Sequence, residues 1–269
     1  MQNMEAFWLL KNFFRFFFLI LIGIAVYTLW FQEERHAEVQ TPPPPVVEPT
    51  LELVEEGDTV IASPMQPVQG SAELVSYTKA VAVKNPHSFP IHIVDIVNTY
   101  EVDGSDYLSP NEMFGYPHKN IIAPGETVYF ADFEYAVPLS FGEDLKGSEL
   151  EFSFKQDEGY VDYHDLTVLN EQFITSDGGD ILSRDVTIKA SIQNTLGESV
   201  NTERLGMTAV FFDQEGKIIG GDSGYPAGIN RRIQPGEQAE IELDGYLITP
   251  EFEERIKDIK VFVGCSVCK

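Results

Sequence analysis

The chain has 269 residues, with 43 Asp and Glu against 18 Lys and Arg, a formal net charge of −25. That balance excludes nucleic-acid binding, which rests on clustered cations neutralising phosphates, and opposes docking flat on an anionic lipid surface. With 43% apolar residues the chain is too hydrophobic to be wholly disordered, and its two cysteines are too few for a disulfide scaffold.

Residues 1–12 form a short N-terminal lead into an apolar run. Phe16–Phe31 holds no charge, and Phe13 and Phe14 extend the run across Arg15, whose guanidinium can snorkel toward headgroups. The resulting segment, residues 13–31, spans about 28 Å as a helix at about 1.5 Å per residue, close to the hydrocarbon thickness of a bilayer. Trp8, Tyr27 and Trp30 suit interfacial anchoring. The run ends in Gln32-Glu33-Glu34-Arg35-His36, without the small residues of a cleavage site, and no cysteine follows it for lipid attachment. The sequence therefore predicts an uncleaved, single-pass transmembrane helix with the lipid bilayer as its partner. Lys11 and Arg15 precede the uncharged run Phe16–Phe31, whereas Arg35 alone follows it within forty residues. That bias places the N-terminus in the cytoplasm and the bulk outside, at the cell membrane.

Residues 32–74 read as a Pro-rich acidic stalk. They include Pro42–Pro45, Pro49, Pro64 and Pro67, with nine acids and one Arg. Consecutive prolines favour an extended polyproline rod, and charge repulsion lengthens it. It is either a spacer or a passive linker. The stretches 51–54 and 59–62 are apolar enough to begin a first strand.

The remainder repeats itself. Lys84-Asn85-Pro86 and Gln193-Asn194-Thr195 each follow a strand-like run, 109 residues apart. Gly115-Tyr116-Pro117 recurs as Gly224-Tyr225-Pro226 at the same offset, and Pro124-Gly125-Glu126 recurs as Pro235-Gly236-Glu237 at 111. Leu150–Phe154 matches Ile259–Val263, again at 109. Matches in one order at nearly constant offset indicate tandem duplication. Short alternating strands are punctuated by Gly, Pro, Asn and Asp, with Asp103-Gly104 and Glu215-Gly216 as hairpin turns. The predicted fold is mainly β: two tandem immunoglobulin- or fibronectin-like β-sandwiches, residues 75–170 and 171–269. Thr249-Pro250-Glu251 starts one short helix ending near Lys257.

Val83-Lys84-Asn85-Pro86-His87-Ser88-Phe89-Pro90-Ile91-His92-Ile93, followed by Tyr100–Gly104, resembles the water-stress and hypersensitive-response (WHy) domain of group 2 late-embryogenesis-abundant proteins. Ala209-Val210-Phe211-Phe212-Asp213, with Gly216–Gly220 and Pro235-Gly236-Glu237, resembles the bacterial FxLYD domain, with Ala209, Phe211 and Phe212 departing from its name-giving motif. Both resemblances imply β-sandwiches, often tethered to membranes, without an established enzymatic site.

Candidate chemistry is sparse. His87 and His92 are five apart, but a zinc site needs further ligands, and half-buried or surface imidazoles are the simpler reading. Among the acidic clusters, the Asp177–Asp180 loop falls at the expected junction of the copies, making Asp177 and Asp180 calcium candidates. Cys265 and Cys268 form a C-x-x-C pair trailing a strand: a local disulfide outside the cytoplasm, an intermolecular bridge, or free thiols. No nucleophile elbow, H-E-x-x-H or glycine-rich phosphate loop occurs, so no catalytic residue and no cofactor is expected. The sequence reads as a membrane-anchored extracytoplasmic interaction or structural module of the cell envelope, with an envelope protein partner, favourably a basic one. The alternatives are a water-stress protection protein and a subunit of an envelope complex.

Overall fold

The computed structural model describes residues 49–62, 73–102, 105–108, 118–139, 145–156, 163–178, 183–227 and 231–266, together with Ile20, Ile22 and Tyr27. The chain divides into two units, Met1–Glu48 and Pro49–Lys269. In the first, the three described residues are helical and exposed. The remainder of the segment 13–31, and residues 32–48, lie outside the described residues. Among the described residues no helix is long and apolar enough to cross a membrane.

The second unit is mainly β. In its first copy, β1 (Glu52–Ala62), β2 (Glu73–Lys84) and β6 (Thr127–Leu139) form an antiparallel sheet in the order β1-β2-β6. Facing it, β3 (Ile91–Val102) pairs with β7 (Leu145–Gln156) along its length, and with β4 (Ser105–Leu108) and β5 (Ile121–Ile122) at its ends. The second copy repeats the plan. One sheet holds β9 (Thr167–Asp177), β10 (Arg184–Gln193) and β15 (Gln238–Ile248), with β10 central. The other runs β13 (Ile218–Gly224), β12 (Leu205–Phe212), β16 (Asp258–Ser266), β8 (Tyr163–Asp165). The short pair β11 (Val200–Asn201) and β14 (Arg232–Ile233) repeats the register of β3 with β5. Helix α1 (Pro250–Arg255) links β15 to β16, with Thr249 as its cap and Pro250 in its first turn.

Two boundaries move. Residues 52–62, placed within the stalk although stretches 51–54 and 59–62 are apolar enough to begin a strand, are β1, paired with β2 from Glu52↔Lys84 to Ala62↔Val75. An edge strand tolerates its acids because one side of it stays open to water. The second copy begins at β8 rather than at residue 171, since β8 already pairs with β16. Within β3 a bulge between Ile93 and Asp95 interrupts the alternation, so that Ile96 is buried on the same face as Ile93.

The duplication is legible atom by atom. Asn85 Nδ2 donates to Phe89 O at 2.8 Å and Ile122 O at 2.9 Å; Asn194 Nδ2 donates to Glu198 O and Ile233 O at the same distances. Each Asn Oδ1 accepts an amide two residues on, from His87 or Leu196. The two Pro-Gly turns place Gly125 and Gly236 at φ 74 and 77, which glycine adopts freely. Each glycine amide donates to its asparagine carbonyl, at 2.9 and 2.8 Å. Glu126 and Glu237 each close the turn by accepting the amide three residues earlier, Ala123 or Gln234.

The four principal sheets stack as layers with three apolar seams. Val81, Val83, Ile93, Ile122, Val128 and Phe130 fill the first copy. Met207, Phe211, Ile188, Ile241, Val261 and their neighbours fill the second. Between the copies, Ala80, Ala82 and Ala131 of β2 and β6 pack with Val210, Phe212 and Ile218 of β12 and β13. Burying each of those last three side chains contributes on the order of 1.5–3 kcal/mol. Polar bonds fix the register of this junction. Thr78 Oγ1 accepts from Gly221 N at 2.7 Å and donates to its carbonyl at 2.6 Å, and Ser223 Oγ donates to Ala131 O at 2.6 Å. The approach is so close that a Cβ on Gly57 would lie 1.8 Å from the Ile218 carbonyl oxygen.

Candidate functional site

The copies differ most at one end of their cores. Val186, Ile188, Met207, Ala209 and Leu243 belong to one buried apolar cluster in the second copy. The offsets of 109, and of 111 on β15, place Tyr77, Lys79, Asn98, Tyr100 and Asp132 at those positions in the first. Tyr77, Lys79, Asn98 and Tyr100 are only 1, 5, 2 and 0% exposed. Alternation puts them inside: Tyr77 and Lys79 follow the phase of Val81 and Val83 on β2, and Asn98 and Tyr100 that of Ile96 on β3.

Lys79 Nζ donates to Ser148 O of β7 at 2.6 Å and lies 3.5 Å from the Glu56 carboxylate. The Tyr77 hydroxyl donates to Asp58 at 2.5 Å and meets the Ser148 hydroxyl at 2.9 Å. Glu56 and Asp58 are exposed on the edge strand β1, so the network runs from the core to solvent. The rings of Tyr77 and Tyr100 meet edge to face, 5.2 Å between centroids. Burial, then the bond to Asp58, holds the Tyr77 phenol far above its ordinary pKa. Burial, then the charges of Asp132 and Glu134, does the same to Tyr100.

Asp132 stands opposite Lys79 in the β2–β6 register. Burial and then repulsion from Glu134 push its pKa up to about 7, against the opposing pull of the Phe133 amide. Asp222 on β13, across the junction, is pushed up to about 8 by burial first and by Asp132 second. Tyr100 Oη and both amide atoms of Asn98 lack a partner of hydrogen-bonding geometry, although Asn98 lies near enough to ease ionisation of the phenol. Leaving such groups buried and unsatisfied costs about 1–3 kcal/mol each, so this end of the core is held against its own stability. Chemically it is a cluster of buried polar groups, two phenols and an amide, with the Asp132 carboxyl near enough to Tyr100 to oppose its ionisation.

The residues singled out from sequence do not gather there. Asp177 ends β9 and lies 3.4 Å from Arg184 across the β9–β10 pairing. Both strands of that pairing, β9 and β10, belong to the second copy, and Asp180 lies outside the described residues. Among the described residues no three His, Cys, Asp or Glu side chains are grouped to hold a metal. His87 accepts the Thr50 amide at 3.0 Å and stacks on Phe89, while His92 sits 3.3 Å from the Asn120 amide nitrogen. The two imidazoles thus serve different turns. His118 is buried against Phe262 at the junction, where desolvation lowers its pKa to about 3. Beside it Lys119 joins Glu126 at 2.5 Å to Asp165 of β8 at 3.0 Å. Cys265 is disulfide-bonded and fully buried on β16; Cys268 lies outside the described residues.

No protein-family model matches the chain, and no curated protein matches it.

Proposed function

We propose that the chain is a membrane-anchored module of the cell envelope, displaying its paired sandwiches outside the cytoplasm for contact with an envelope protein. The observation that carries this reading is the inter-copy seam. Interdigitated alanines, Thr78 bonded twice to Gly221, and the close approach at Gly57 unite two sandwiches that a loose tandem would leave independent. A fused block of this kind holds loops and sheet faces at fixed separations, which suits presentation to a partner. The apolar segment 13–31 supplies the anchor and the acidic, Pro-rich residues 32–48 the tether. The large negative charge steers a basic partner surface toward the block. The resemblances to WHy and FxLYD domains support the same placement, and the former supports a related role in protection during water loss. No reaction is assigned to the chain.

The test is membrane fractionation of the full chain, followed by protease treatment of intact cells. The expected result is a carbonate-resistant membrane protein whose residues beyond 48 are reached from outside. Recovery as a soluble protein, or protection of those residues in intact cells, overturns the reading. Crosslinking in the same cells should then capture an envelope protein in a salt-sensitive manner.

A further inference from the structure

The second copy shows that this fold closes well around an apolar core, yet the first copy places Lys79, Asn98, Tyr100 and Asp132 at the same positions. We propose that the interior of the first sandwich is a proton-linked site, closed while Asp132 carries a proton and loosened, with water entering to the Asn98 amide and Tyr100 hydroxyl, when it does not.

Four elements supply charged or titratable groups to this interior: Glu56 and Asp58 from β1, Tyr77 and Lys79 from β2, Tyr100 from β3, and Asp132 and Glu134 from β6. From β7 comes the neutral Ser148, and from β13, across the seam, Asp222. Lys79, which stands opposite Asp132 in the β2–β6 register, is already committed to Ser148 and Glu56. Ionised Asp132 therefore meets Glu134 and Asp222 without a cation of its own in the cluster. Protonated, it becomes a donor in a region holding unpaired acceptors. Glu56 and Asp58, exposed at the edge of β1, connect the cluster to solvent through their bonds to Lys79 and Tyr77.

The direction follows from linkage. A carboxyl whose pKa is raised on folding is protonated in the closed form and ionised in the opened form over the range between the two values. Stability of this region is then fullest at acid pH and falls as pH rises toward about 7, the value to which Asp132 is raised. Hydrogen exchange on the full chain, corrected for intrinsic rates, reads this directly. Opening at amides 77–81, 98–100 and 130–133 should rise about tenfold per pH unit between about pH 5 and 7. Asp132→Asn should abolish that slope, while amides of β10 and β12 show none of it in either protein. An equal slope in the variant, or a slope shared by β10 and β12, overturns the proposal. Carbon-13 titration of aspartate carboxyls in the wild-type chain provides a second readout that needs no variant. A midpoint near 7 for Asp132 is expected, and one near the usual 3.8 overturns the proposal.

Discussion

Ala80 and Lys189 occupy the same position in the two copies, as do Ala82 and Ser191. In the first copy this outward face of the central strand is buried under the second copy's β12–β13 sheet. In the second copy it is open, with Lys189 paired to Glu242 at 2.9 Å and Ser191 bonded to Glu240. The seam joins unlike faces, the β1-β2-β6 sheet of one copy to the β13-β12 sheet of the next, an arrangement that could in principle continue indefinitely. Charge on the second copy's free face ends the stack, as polar caps end other repeat arrays. Duplication supplied one shape twice; divergence of a few outward side chains decided which face was joined and which was left to water.

The most severe way to break this asymmetry is to exchange the two residues. Ala80→Lys forces an ammonium into the apolar patch formed by Val210, Phe212 and Ile218, and should destabilise the full chain by about 3–5 kcal/mol in chemical denaturation. Lys189→Ala removes a half-exposed ion pair and should change stability by no more than about 0.5 kcal/mol. Comparable losses from both would mean that the second copy's outward face is covered too.

The shared clamp makes the opposite prediction, of equal effects. Asn85→Ala and Asn194→Ala each remove two donors to buried carbonyls and one acceptor for a turn amide. Each should cost about 2–4 kcal/mol, with unfolding midpoints shifted alike. A large cost in one copy and a negligible one in the other would show that the matching geometry is not matched in energy.

Much of this was legible in the residues, though not all of it in the right terms. The offset matches found the repeat, and Pro-Gly-Glu marked the turn that the asparagines tie down. Ala80-Val81-Ala82-Val83 reads as a strand, but every one of its side chains is apolar, as are seven of eight from Leu205 to Phe212 when Gly206 is included. Such runs belong to strands covered on both faces, and they are the trace of the seam. The polar end of the first core left no comparable mark. Ser76-Tyr77-Thr78-Lys79 has the pattern of a solvated strand, and only the register against the second copy reveals Tyr77 and Lys79 as core positions. β1 was legible only in its apolar stretches 51–54 and 59–62, since its acids match those of the stalk and its pairing partner lies beyond the Pro-containing stretch 63–72.

The mildest comparison concerns carboxylates of opposite sign. In the first copy Asp132 is raised on folding and works against stability as pH rises. In the second, Glu237 is lowered, first by the Gln234 amide it accepts and then by Arg231. A carboxylate lowered on folding contributes stability above its unfolded value, and that contribution disappears as pH falls through the folded one. Glu237→Gln should therefore melt slightly below the wild type at neutral pH. The difference should hold down to about pH 4.5, the ordinary value for this group, and close at lower pH. Because the group is exposed, added salt should shrink only the Arg231 share of the effect and leave the bond to the turn amide. A gap that widens on acidification would reverse the assignment and place Glu237 with Asp132, among groups that fold against their charge.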